Sequence, residues 1–303
     1  MIDPRYRAQV RLLVRLLPLV ATEGDFALKG GTAINLFWRD LPRLSVDIDL
    51  TYLPIADRAT SLDAIDAAMR RLAETIRSAL PASAVDVQGG ADGLARRLLV
   101  RSDGAQVKIE VTPVLRGVVF APAPRTVTAR VEAEFGFAEA TLVSFPDLYA
   151  GKAVAALDRQ HPRDLFDIRD LLATEGLTRP LIDAFLIYLI SHGRPIAELL
   201  APNRRDLAQE YDRSFAGMTA PPVALADLKQ AREDLVSGLH QALTDADRRF
   251  LLSVKLGAPD WALIGLPQAA ELPAVQWKLQ NLAALAEDRR AVLADRLRAV
   301  LQL

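Results

Sequence analysis

The sequence predicts an α+β fold, a mixed sheet with helices followed by a mostly helical second domain, and three observations carry that reading. Short alternating apolar and polar segments crowd the first half of the chain. Two amphipathic helical patterns are interleaved with them. From about Pro146 onward almost every segment reads as helix, with no convincing strand. That shift places a boundary between a first domain at residues 1–145 and a helical domain at 146–303. At 303 residues the chain is long enough for two hydrophobic cores.

The elements follow in order. Residues 4–20 form a helix whose buried stripe is Val10, Leu13, Leu17 and Val20. A strand at 26–29 runs into the turn Gly30-Gly31-Thr32. That turn opens an apolar helix at 32–39 carrying Ala33, Ile34, Leu36 and Phe37. The strand Ser45-Val46-Asp47-Ile48-Asp49-Leu50 comes next. Residues two apart on a strand point to one side, so Asp47 and Asp49 project together while Val46, Ile48 and Leu50 face a core. The helix at 61–80 takes Ser61 as its N-cap and Pro81 as its stop. Strands at 85–87 and 98–100 flank the flexible Gly89–Gly93 run, which reads as a hairpin loop rather than a phosphate cradle. The turn Ser102-Asp103-Gly104 leads into an alternating strand at 106–111. There Val107, Ile109 and Val111 face inward, and Lys108 and Glu110 share the other side. The Pro-rich segment 120–124 is a loop. In the helical half, Trp277 reads as helix packing, and a last helix at 283–301 packs on the helical domain. There is no internal repeat and no low-complexity segment.

Composition excludes several classes. A hydrophobic fraction of 51% with 25% charged residues is that of an ordinary globular protein. With no cysteine, neither a disulfide nor a thiolate zinc site is possible. His161, His192 and His240 are far apart and lack metal-ligand spacing. The N-terminal segment spreads charges through its apolar residues, unlike a signal peptide, and the apolar stretch at 180–190 is interrupted by Asp183 and too short to span a bilayer. The expectation is a cytoplasmic protein with no membrane partner. The net charge of −1 supplies no global positive field, so contact with RNA must come from a local patch. Arg5, Arg7, Arg11 and Arg15 lie mostly off the apolar stripe of the first helix and suit RNA phosphates, with a solvated face as the competing reading. Only six of the 37 basic residues are lysines, at positions 29, 108, 152, 229, 255 and 278. Each lysine is therefore less of a casual surface choice.

Two constellations carry chemistry. Asp47 and Asp49 on one strand edge make a site for Mg2+ or Mn2+. The paired glycines before them let backbone approach a phosphate, and the following helix N-terminus favours an anion. A metal beside a triphosphate is the equipment for nucleotidyl transfer. Such chemistry commonly uses a third acid. Glu110 is the first candidate and Asp86 the second, while an exposed strand residue beside Lys108 is the competing reading of Glu110. In the second constellation, Lys152, Ala155 or Ala156, and Arg159 fall on one helical face. Pro162 starts a second helix. On it Arg163, Asp164 and Asp167 share a face opposite Leu165, Ile168 and Leu172.

Gly30-Gly31-Thr32 followed by Asp47-x-Asp49 resembles the signature of the polymerase-beta-like nucleotidyltransferases. The wider wording GGTAINLFWRDLPRLSVDIDL, with Arg43-x-Ser45, is similar to the AbiEii/AbiGii toxin group, which includes the mycobacterial MenT toxins. The segment Lys152-x3-Ala156, then Arg159-x3-Arg163-Asp164-Leu165-Phe166-Asp167, resembles that group as well, so the likeness spans most of the chain. It implies a nucleotidyltransferase-like sheet domain and a metal-dependent toxin that adds nucleotides, pyrimidines, to the 3′ acceptor end of tRNA. The implied substrate is a nucleoside triphosphate, and the implied partner is a cognate antitoxin. By the same resemblance Asp47, Asp49, Lys152 and Asp167 are catalytic, and Gly30, Gly31, Thr32, Ser45 and Lys152 bind the nucleotide. The metal falls to Asp47 and Asp49, with Glu110 left open because the group does not always keep a third acid. Arg159, Arg163 and Asp164 stand open between function and an ion network joining two helices. Two rival readings remain. One keeps the chemistry with a small molecule such as an aminoglycoside, or a protein hydroxyl, as acceptor; the other is a degenerate fold kept as a binding module.

Overall fold

The computed structural model describes residues 4–219 and 221–303. The side chains of residues 4 and 5 lie outside that description, and with them the phosphate-facing reading of Arg5. The chain divides into two units, Met1–Ser144 with Gly217–Pro221, and Phe145–Ala216 with Pro222–Leu303.

The first unit holds the strands β1 (Phe26–Lys29), β2 (Asp47–Tyr52), β3 (Ala84–Gly89), β4 (Ala95–Ser102), β5 (Ala105–Val111), β6 (Ala123–Thr126) and β7 (Glu139–Leu142). Its helices are α1 (Pro4–Val20), α2 (Gly30–Ala33), α3 (Arg58–Ala79) and α4 (Ala129–Phe135). The strands form one mixed seven-stranded sheet in the order β3-β4-β5-β2-β1-β7-β6. β2 runs parallel to β5 and antiparallel to β1. Helix α1 lies against β5 and β7, and α3 against β3 and β4. Ile48, Leu50, Val107, Ile109 and Val111 are buried, as are Val10, Leu13, Leu17 and Val20 on the stripe of α1. The β4–β5 connection is a tight hairpin in which Asp103 and Gly104 both take positive φ, +50° and +75°. Such a loop matches the right-handed twist of the strands it joins.

Several boundaries differ from the sequence reading, each for a physical reason. The helix after β1 starts at Gly30 itself, and from Ile34 to Trp38 it widens to a π-helix, with Arg39 N donating to Ile34 O at 2.8 Å. Val46 precedes the strand and is only half-buried. Helix α3 begins three residues earlier than Ser61, because the Asp57 carboxylate accepts from Thr60 N at 3.0 Å and is the N-cap. Ser61 is buried inside the first turn and bonds back to Asp57 O at 2.7 Å. The 120–124 loop gives way to β6 at Ala123, since an edge strand tolerates the missing N–H of Pro124. Arg7 pairs with Glu134 at 2.9 Å, and Arg15 reaches Asp103 at 3.8 Å, so these two arginines of α1 belong to an ion-paired surface. A later part of the chain also returns to this unit. Thr219 bridges Arg43, and Leu44 N donates to Met218 O at 3.1 Å.

The second unit is helical: α5 (Phe145–Arg159), α6 (Pro162–Thr174), α7 (Arg179–Ser191), α8 (Ile196–Leu200), α9 (Ala208–Ser214), α10 (Leu225–Ala242), α11 (Asp245–Leu256), α12 (Pro273–Ala283) and α13 (Glu287–Leu301). Helix α7, the most apolar, buries Leu181, Ile182, Phe185, Leu186, Leu189 and Ile190, and packs against α5. The last helix starts at Glu287 rather than 283, because α12 runs on to Ala283. It packs against α11 and α8. Trp277 is 60% exposed, not packed, because α12 buries its other side through Ala274, Val275 and Leu282. Among the described residues no helix is long and apolar enough to cross a membrane.

Candidate active site

Sheet register assembles the first cluster. Lys29 on β1 stands opposite Asp49 on β2, Asp49 opposite Glu110 on β5, and Glu110 opposite Arg97 on β4. One row across four strands therefore reads cation, acid, acid, cation. In the neighbouring row Asp47 stands opposite Lys108. Ion pairs follow this register. Arg97 Nη2 donates to Glu110 Oε1 at 2.7 Å, Lys108 Nζ lies 2.9 Å from Glu110 Oε2, and the same ammonium is 3.8 Å from Asp47 Oδ2. Asp47, Asp49, Lys108 and Glu110 are all part-exposed. Burial alone pushes Glu110 up, but the hydrogen bonds from Arg97 and Lys108 outweigh it and hold the carboxyl below its usual range. Burial likewise disfavours the Lys108 ammonium, yet its bond to Glu110 and the charges of Asp47 and Asp49 raise its pKa. For Lys29 burial wins over Asp49 and Glu110, and its pKa falls.

The glycine turn is shaped by this cluster. Gly30 has φ +76°, and a Cβ there would sit 2.6 Å from Asp49 Oδ2, so both the backbone conformation and the space require glycine. A Cβ on Gly31 would meet Arg43 Nη2 and Ser45 Oγ, each at 2.8 Å. Thr32 is fully buried; its hydroxyl donates to Asp47 O at 2.5 Å and lies 3.1 Å from Ser45 Oγ. Asn35 Nδ2 donates to Gly31 O at 2.8 Å, while its Oδ1 accepts from Arg43 N at 3.3 Å. These bonds clamp segment 43–47 onto the turn and aim β2. Thr32 and Ser45 thus lie in the framework of the acid strand. Asp86 lies on β3, separated from β2 by both β4 and β5, and accepts from Gln88 Nε2 at 2.9 Å.

Asp47 and Asp49 offer hard carboxylate oxygens on one part-exposed face. Among the described residues no three His, Cys, Asp or Glu side chains converge as a metal cage. That set fits Mg2+, which keeps several waters and is commonly bound through one or two carboxylates plus substrate phosphates.

The second cluster lies in the helical unit. Lys152 of α5 is 7% exposed and held between two carboxylates of α6, Asp164 Oδ1 at 3.0 Å and Asp167 Oδ2 at 2.9 Å. Arg159 clasps Asp164 through Nε at 2.5 Å and Nη2 at 3.0 Å. Burial pushes the Asp164 carboxyl up, but Lys152 and Arg159 together hold it far below the usual range. The polar side of α6 is therefore as buried as its apolar side. Pro162 does start α6, capped by His161, whose Nδ1 accepts from Arg163 N at 3.1 Å. The small residues beside Lys152 admit Tyr188 of α7. A Cβ on Gly151 would touch its ring at 3.3 Å, and the Tyr188 hydroxyl donates to buried Asp147 at 3.2 Å.

Lys29, Arg43, Arg97 and Lys108 were not among the expected site residues. One signal did point to three of the lysines. Of the six, 29, 108 and 152 belong to these two clusters.

The chain matches the model of the family described as "Nucleotidyl transferase AbiEii toxin, Type IV TA system" over residues 11–281. Among solved structures it is similar to the MenT4 nucleotidyltransferase toxin of Mycobacterium tuberculosis H37Rv, with a TM-score of 0.61 and 18% identity, covering 91% of this chain and 93% of that one. At that identity the likeness establishes the fold. A second match, terminal uridylyl transferase 4 from Trypanosoma brucei with bound GTP, has a TM-score of 0.27 at 12% identity, covers 79% of this chain and 94% of that one, and is too slight to carry an argument. No curated protein sequence matches the chain.

Proposed function

The chain belongs to the AbiEii nucleotidyltransferase toxin family of type IV toxin–antitoxin systems, and from that premise we propose that it transfers a nucleoside monophosphate, preferentially a pyrimidine one, onto the 3′-hydroxyl of a tRNA acceptor end. The observation that carries the proposal is the pair Asp47 and Asp49, side by side on a part-exposed strand face that the Gly30–Gly31 turn closely abuts. In this reading Asp47 and Asp49 hold a divalent cation. When bound, that ion offsets the charge of the triphosphate and of the departing pyrophosphate. Gly30 and Gly31 bring backbone to the phosphates, with Thr32, Ser45 and Arg43 holding the turn against the acid strand. We assign Lys152 to the phosphates as a compact positive charge and Asp167 to the orientation of that lysine. The attacking oxygen forms its bond to the α-phosphorus in line with the breaking bond to pyrophosphate.

The test is transfer of labelled nucleotide to tRNA, with each nucleoside triphosphate in turn and a tRNA whose 3′-hydroxyl has been oxidised as control. The expected result is metal-dependent labelling of intact tRNA alone, strongest with a pyrimidine. Label that persists on oxidised tRNA, or appears only on protein or a small alcohol, overturns the RNA acceptor. Because the net charge is −1, tRNA binding in this proposal rests on a local arginine patch and falls steeply with salt. Expression alone should arrest growth through Asp49 and Lys152, and a co-encoded antitoxin should relieve it. Arrest by the Asp49→Asn protein points instead to toxicity by binding.

A further inference from the structure

Glu110 occupies the position from which a third acid would complete the site, in register beside Asp49. Both of its oxygens are already engaged, Oε1 by Arg97 at 2.7 Å and Oε2 by Lys108 at 2.9 Å. The Lys108 ammonium sits between this acid and Asp47, 3.8 Å from the nearer Asp47 oxygen. Asp47, Asp49 and Glu110 bring three carboxyl groups to one sheet face, and the side chains of Lys29, Arg97 and Lys108 stand in the same rows. One divalent ion at Asp47 and Asp49 leaves that arrangement intact. A second would have to displace Lys108 from Glu110, or stand against its charge.

We infer that Lys108 takes, as a fixed ammonium, the place of the ion that activates the attacking hydroxyl in two-metal transfer, so that this enzyme works with one divalent cation. The inference rests on the proposed transfer reaction. In it Glu110 is not a metal ligand; Glu110 and Arg97 are positioning residues that hold the Lys108 side chain along the strand face. A positive charge there favours the alkoxide form of the incoming hydroxyl. The O–H bond breaks with its proton passing to water, the new P–O bond forms, and pyrophosphate leaves with the electron pair of the broken P–O bond.

The test counts ions. Bound Mn2+ is measured by equilibrium dialysis and by its electron paramagnetic resonance signal, on the full chain with a non-hydrolysable α,β-methylene nucleoside triphosphate. The expected result is one ion per chain in the native protein, still one in Glu110→Gln, and none in Asp49→Asn. Lys108→Met should gain a second ion, and its turnover, lowered roughly 100-fold at low metal, should recover as Mn2+ rises. Two ions on the native protein, or loss of an ion in Glu110→Gln, overturns the role of Lys108 while leaving the metal site at Asp47 and Asp49 standing. No ion on the native protein overturns that site as well. The native count needs no variant, so it decides the matter even if Lys108→Met fails to fold.

Discussion

The two ion clusters are made of the same residue types and behave in opposite ways. On the sheet of the first unit, acids and cations stand in register on a part-exposed face. In the helical unit, Lys152, Asp164 and Asp167 are almost wholly buried, and each charge is satisfied by its neighbours. A buried lysine between two carboxylates is retained only because its partners are already there; remove one and an uncompensated charge stays in a low-dielectric interior. Part-exposed carboxylates stay within reach of a ligand and contribute little to stability. One cluster is closed off from solvent by packing, and the other stays open to an approaching ligand.

The sharpest way to break that contrast is to remove acids one at a time. Asp47→Asn and Asp49→Asn should each lower nucleotide transfer by roughly 1,000-fold while the melting temperature hardly moves. Native turnover in both variants at equal magnesium would sink the metal site. In the helical unit Asp167→Ala should inactivate and also destabilise, by about 3–5 kcal/mol in urea unfolding, because it strips Lys152 of a buried partner. If stability falls and transfer survives, Asp167 is structural and the two clusters differ in role as well as in burial.

Lys152→Arg should keep more stability than Lys152→Ala but restore little transfer, since a planar fork replaces a compact ammonium. Nucleotide KM and unfolding, measured on both variants, separate the two effects. The pH dependence follows from Asp164, whose folded pKa is depressed by Lys152 and Arg159. Its contribution to stability is therefore complete above the unfolded carboxylate value, about 4, and is lost as pH falls from there through the depressed folded value. Native protein and Asp164→Asn should differ most near pH 6 and converge in strong acid; a constant difference between pH 6 and 2 would count against the pairing. The smallest effect is expected at Thr32→Val, which removes the bond to Asp47 O and should weaken stability by about 1 kcal/mol. A larger drop in transfer than in stability would show that the clamp aims the acid strand.

Much of this molecule was legible before its structure. Asp47 and Asp49 share a face because strand alternation is a local property, and Asp103-Gly104 makes a hairpin because those residues accept positive φ. The helical half was legible from 3.6-residue periodicity. The short strands β6 and β7 were not, since four residues each, one of them proline, carry no periodic signal. Trp277 misled for a related reason: an apolar residue in a helix is assigned to the core by pattern, yet which side of α12 meets a neighbour is set by packing.

By itself the sequence determined the motif, the acid pair, the glycines and the lysine–aspartate segment, because each is encoded in contiguous residues a few positions apart. Only the tertiary structure decided what surrounds them. Lys29, Asp49, Glu110 and Arg97 form one row because β1, β2, β5 and β4 happen to be neighbours in that order. The space that demands glycine at Gly31 is filled by Arg43 and Ser45, twelve and fourteen residues away in the chain. Lys152 is closed between Asp164 and Asp167 by the packing of α5 on α6. Long-range register and helix packing come from the summed burial of many side chains, so no local stretch of sequence carries them.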